Sequence, residues 1–147
     1  MKKTIQQITD IVDGLPADRL KMNAILKQFN VGKFNRINSG TLIFDDGQIY
    51  MLWSGSDNLN WTWKPFTKLK PQGLKQLIDL IDREFSEIDT NENFGGNADN
   101  FLIWESNRFG NKTTVIVPSG PFSGLPPVFK KIEDTINKFM VRLNEKI

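Results

Sequence analysis

The chain of 147 residues contains no cysteine and no histidine, and it has a single tyrosine. Without thiols there is no disulfide, thiolate zinc site, iron–sulfur cluster or cysteine nucleophile, and without imidazole there is no His-based triad or histidine metal ligand. No stretch approaches the roughly 20 consecutive apolar residues that cross a bilayer, so no membrane span is expected. The start, MKKTIQQITDIVDG, reaches Asp10 and Asp13 before any long apolar run. It makes a poor secretory signal, and a cytoplasmic location is the expectation. Net charge is also scarce: 19 Lys and Arg face 17 Asp and Glu, an excess too small to call for a nucleic-acid partner.

What is present suits one α+β domain over residues 1–147, because a chain of this length with 39% hydrophobic residues buries about two-thirds of its unfolded surface without a staple. Charge is unevenly spread. Residues 1–73 hold 10 basic and 6 acidic groups, residues 74–147 hold 9 and 11, and residues 79–105 carry eight carboxylates with Arg83 as their one cation. Such an acidic stretch repels nucleic acid and attracts a basic partner, or is simply a solvated helix end and loop.

Hydrophobic spacing sets the expected elements. Ile5, Ile8 and Val12 share one face of a helix over 4–12, which Gly14-Leu15-Pro16 interrupts. A second helix is predicted from Pro16 or Ala17 to Phe29, with Leu20, Ala24, Ile25 and Phe29 turned inward. Strands at 37–44 and 48–54 flank Asp45-Asp46-Gly47, where glycine supplies a positive φ and Asp45 is expected to accept turn amides. A third strand over 60–66 places Trp61 and Trp63 on one face, and Pro65 marks it as an edge. Pro71 opens an amphipathic helix carrying Leu74, Leu77, Ile78, Ile81 and Phe85. A polar loop covers 90–100, a hairpin pairs 101–105 with 112–117, and a last helix over 127–144 has Val128, Phe129, Ile132, Ile136, Phe139, Met140 and Leu143 on one stripe. The predicted order is α-α-β-β-β-α-β-β-α: a mainly antiparallel sheet of about five strands packed with four helices.

Chemistry concentrates in the aromatics. Trp53, Trp61 and Trp63 fall close together, with Trp104 available from the second hairpin. Large rigid indoles serve as interface anchors or pocket walls, and equally as core. Around them, Asp45, Asp46, Glu92, Asp99, Glu105 and Arg108 are candidates for electrostatic selection of a partner. A hydrolase would need two carboxyl groups about 5–10 Å apart, which no spacing here establishes. Residues 89–100 are rich in oxygen ligands but lack the order of an EF-hand loop, and no phosphate-loop motif occurs. No cofactor or metal is expected. Lys64, Lys68, Lys70 and Lys75 beside the tryptophans would suit single-stranded nucleic acid, although the overall charge argues against it.

The reading from sequence is therefore a non-catalytic protein-interaction module, of adaptor or toxin-neutralising type, with an aromatic surface. The alternatives are a small-molecule-binding domain or carboxylate-dependent enzyme with a tryptophan-lined cleft, and a single-stranded nucleic-acid binder. An enclosed concavity with convergent polar groups favours a ligand, whereas an exposed flat indole patch favours a protein.

Overall fold

A computed structural model describes residues 5–22, 24–33, 36–54, 60–85, 100–106, 113–118 and 127–142. Its strands are β1 (Ala24–Val31), β2 (Ile37–Phe44), β3 (Gln48–Trp53), β4 (Thr62–Lys68), β5 (Phe101–Ser106) and β6 (Thr113–Pro118), and its helices are α1 (Ile5–Thr9), α2 (Ala17–Leu20), α3 (Pro71–Arg83) and α4 (Val128–Phe139). The strands form one sheet in the order β4-β3-β2-β1-β5-β6, and every pairing is antiparallel. The α+β class, the antiparallel sheet and the four helices agree with the sequence.

The sixth strand replaces most of the expected second helix. Ala24, Leu26, Lys27 and Gln28 favour helix, but that propensity is a weak prior. Here it loses to pairing on both sides: β1 lies between β2 and β5, with Lys27 opposite Leu42 and Glu105, and Phe29 opposite Gly40 and Ile103. Only the single turn of α2 remains, and Leu20, expected to be buried, is 53% exposed. Similarly, α1 ends at Thr9, so the helical phase that aligned Val12 with Ile8 is lost. Ile8 is buried and Val12 is 47% exposed.

Alternation along the strands divides the core between the two faces. Ile43, Ile49, Trp104, Val115 and Val117 pack under α3 and α4. On that side Leu77, Leu80 and Ile81 of α3 meet Val128, Phe129 and Ile132 of α4, as the two apolar stripes require. Pro71 occupies the first turn of α3, where a missing amide costs nothing. Gly73 lets the helices approach, because a Cβ there would overlap the Phe139 side chain. Beyond α4 the chain runs beside β4. Lys70 N donates to Phe139 O and Val141 N to Lys68 O, each at 2.9 Å, and Thr67 Oγ1 donates to Val141 O at 2.6 Å.

The other face holds Phe29, Leu42, Phe44, Tyr50, Leu52, Trp63 and Ile103. It is covered by residues 5–22, a strap of two short helices joined by irregular backbone. Trp63 ties this strap down: its Nε1 donates to Ile11 O and its backbone N to Asp13 O, both at 2.8 Å. Gly14, at φ +90°, passes so near the Trp63 backbone that a side chain would collide with it. The β2–β3 turn forms as expected, with Gly47 at φ +90°, but Asp46 rather than Asp45 accepts the turn amide, from Gln48 N at 3.0 Å. Among the described residues no helix is long and apolar enough to cross a membrane.

Candidate binding pocket

The strap is too short and too irregular to fill the space over β1 and β2. Ile11, Leu15 and Met22 from the strap face Ala24, Leu42 and Phe44 from the sheet, and between them lies a cavity of about 140 Å³. Ala24 contributes to the void because it is the small residue opposite Phe44. A cavity of roughly 150 Å³ admits one benzene-sized group, whereas pockets for drug-sized ligands begin near about 300 Å³. This one therefore fits a single side chain or a one-ring molecule.

Two ion pairs bound it. Strand register sets Lys27 beside Glu105, with Lys27 Nζ 3.7 Å from Glu105 Oε1 and the side chains 23% and 6% exposed. The same ammonium donates to Thr9 O at 3.0 Å, which links the sheet to the strap. Nearer the mouth, Arg19 Nη2 lies 2.7 Å from Asp46 Oδ2. Its Nη1 approaches the Met22 sulfur at 3.6 Å, and the guanidinium sits 4.9 Å over the Phe44 ring. The hydrogen bond that Arg19 donates to Asp46 raises the Arg19 pKa against the opposing effect of desolvation. The hydrogen bond from Arg19 lowers that of Asp46 against desolvation, helped by the Gln48 amide. Each carboxylate is matched by its own cation, so the walls are neutral overall and favour an uncharged occupant. Val12 and Leu20, both exposed, stand among the residues that line the opening.

A second depression of about 390 Å³ between α3 and α4 is wider but more open, and Asp79, Arg83, Lys131 and Asp134 make its lining largely charged. The smaller pocket is the more enclosed of the two, which makes it the better binding site.

Of the residues singled out from sequence, Glu105 lines this pocket and Asp46 holds its Arg19. Asp45 is exposed on the neighbouring turn. Arg108, Glu92 and Asp99 lie outside the described residues, as does the expected loop over 90–100 apart from Asn100.

The expected aromatic surface is overturned. Trp104 is buried with Phe85 and Phe129, at centroid distances of 5.5 Å from Trp104 to Phe129 and 6.2 Å from Phe85 to Phe129. Its Nε1 finds no hydrogen-bond partner among the described residues. Trp63 is buried on the opposite face against Phe29, and half-buried Trp61 packs on the same cluster. Trp53 is 53% exposed. Pairing explains the dispersal: Trp63 lies opposite Leu52 and Trp53 opposite Thr62, so alternation sends the two indoles to different faces. None of the residues lining this pocket is a tryptophan.

Arg19, Lys27, Val12 and Leu20 were missed. A lysine between Leu26 and Phe29 is the signal that pointed to a buried ion pair, but on the expected helix it faced solvent. Among the described residues no cluster of carboxylates is placed to hold a metal. No family model, no curated protein and no solved structure matches the chain.

Proposed function

We propose that the chain is a cytoplasmic, non-catalytic protein-interaction module that receives one uncharged apolar side chain of a partner in the pocket beneath the strap. The supporting observation is that exposed Val12 and Leu20 line the same pocket as buried Leu42 and Phe44, so apolar side chains reach from its floor to the surface. A buried metabolite needs only the interior, whereas a polypeptide that inserts an anchor also covers the rim. The Arg19–Asp46 pair at the opening supplies polar contacts that orient the backbone around the anchor. Adaptors and toxin-neutralising proteins work by this kind of recognition.

Random peptides displayed on phage and selected against the immobilised full chain provide the test. Enriched peptides are expected to share one Leu, Met or Phe. Leu20→Glu is expected to weaken their binding by about 30-fold, the size of an interface hot spot, and Trp53→Ala, on the other face, to leave it unchanged. Thermal unfolding checks that both variants are folded. Equal binding to wild type and Leu20→Glu overturns the reading.

The buried Lys27–Glu105 pair favours a second reading, a one-ring metabolite with a polar head. In that case phenol titration produces saturable NMR shifts in the Met22 and Leu42 methyl groups, and Leu20→Glu leaves them intact.

A further inference from the structure

The nearly balanced total charge conceals a polarised molecule. Residues 61–78 contain Lys64, Lys68, Lys70 and Lys75 with no carboxylate, and residues 135–142 add Lys138 and Arg142, again with none. All six are exposed. The two stretches are far apart in sequence, but the fold joins them: the Lys70 N–H to Phe139 O bond and the Val141 N–H to Lys68 O bond lay the end of α4 along β4, and Leu69 bridges to Met140. Without these six cations the chain holds 13 basic and 17 acidic groups, so its positive excess resides on this edge. Among the described residues the nearby carboxylates are Asp79, one turn after Lys75 on α3, Glu133 and Asp134 on α4, and Asp45 and Asp46 on the β2–β3 turn. Asp45 and Asp46 precede Gly47, whose carbonyl accepts Leu69 N–H, but Asp46 is neutralised by Arg19. On α4, Asp134 pairs with Lys130 one turn earlier, and Glu133 precedes Lys138 by more than one turn.

We propose that this edge binds single-stranded nucleic acid, with phosphates along β4 and the end of α4 and one base on Trp53. Lys64 stands opposite Met51 and Lys68 opposite Gln48 with a bulge between them, so the two lysines leave this edge strand on its two faces, and their long side chains flank a backbone that runs along the edge. Trp53 distinguishes this partner from an acidic peptide. Its half-exposed ring carries Lys64 Nζ over one face, 3.9 Å from the centroid, so an incoming base stacks on the indole with a cation at hand for its phosphate, as on single-strand binders. One indole suffices for this, so the burial of Trp63 and Trp104 does not affect it. The surface is separate from the strap pocket and stands independently of it.

The test is fluorescence anisotropy of a labelled 15-nucleotide oligothymidylate titrated with the full chain at 50 and 200 mM NaCl. The expected result is saturable binding whose log K falls against log salt with a slope of about −3 or steeper, from about 0.7 per phosphate contact. Lys68→Ala with Arg142→Ala flattens that slope by about 1.4. Trp53→Ala weakens binding about ten-fold at unchanged slope, and Lys130→Ala with Lys131→Ala, whose ammonium groups already pair with Asp134 and Glu84, changes neither. Absence of binding at 50 mM NaCl overturns the proposal. So does competition by polyglutamate at equal charge together with full binding by Trp53→Ala, a result that assigns the edge to acidic peptides.

Discussion

Across the sheet from each other, α3 and α4 close one face with two continuous apolar stripes, whereas residues 5–22 close the other with a few directional bonds. On the helical face cohesion is spread over many interlocking side chains, so no single group holds it. On the strap face it is concentrated in the Trp63 bonds to Ile11 and Asp13, the Lys27 bond to Thr9 and the Arg19–Asp46 pair. A surface held at a few points can loosen without the whole domain unfolding. The comparison therefore assigns most of the stability to the helical face and makes the strap the part that loosens first.

The sharpest way to break that assignment is Phe129→Ala. Phe129 touches both Phe85 and Trp104, and its truncation is expected to cost about 3–5 kcal/mol in urea-induced unfolding. A smaller loss than that from the strap variants reverses the comparison. Trp63→Phe is next. It keeps an aromatic ring but removes the Nε1 donor to Ile11 O, at about 1–2 kcal/mol. Amide exchange should quicken over residues 11–15 and stay unchanged in α3 and α4.

The smallest effect is expected from Asp46→Asn, below about 1 kcal/mol, because the pair is partly solvated. Its sign with pH is definite. Arg19 holds the folded-state pKa of Asp46 below the unfolded value, so the stabilisation is complete above the unfolded pKa of about 3.9 and disappears as pH falls through the lower folded value. Melting temperatures of wild type and Asp46→Asn should differ at pH 7 and converge below about pH 4.

Much of this architecture can be read from local pattern. The 37–54 hairpin has its glycine turn, α3 and α4 have their periodic leucines and isoleucines, and Pro65 does mark an edge strand. β1 cannot be read that way, because what makes residues 24–31 a strand is β5, contributed by residues 101–106. The pocket is hidden for the same reason. Glu105 and Asp46 stand out as charges, but their partners Lys27 and Arg19 lie on a segment whose predicted helix aimed them elsewhere. The four tryptophans are conspicuous in composition, yet the side each one faces depends on register, and β4 ends two residues later than its pattern implies.

The position of β1 has a consequence for synthesis. One border of this inner strand stays bare until residues 101–106 emerge, and at about 5–20 residues per second the ribosome takes several seconds to make the chain between residue 27 and its mate at residue 105. Throughout that interval the nascent protein exposes a half-finished sheet rich in Ile, Leu and Phe, a template for stray strands. A holdase that shields such borders should raise the yield of this protein more than a faster folding catalyst would.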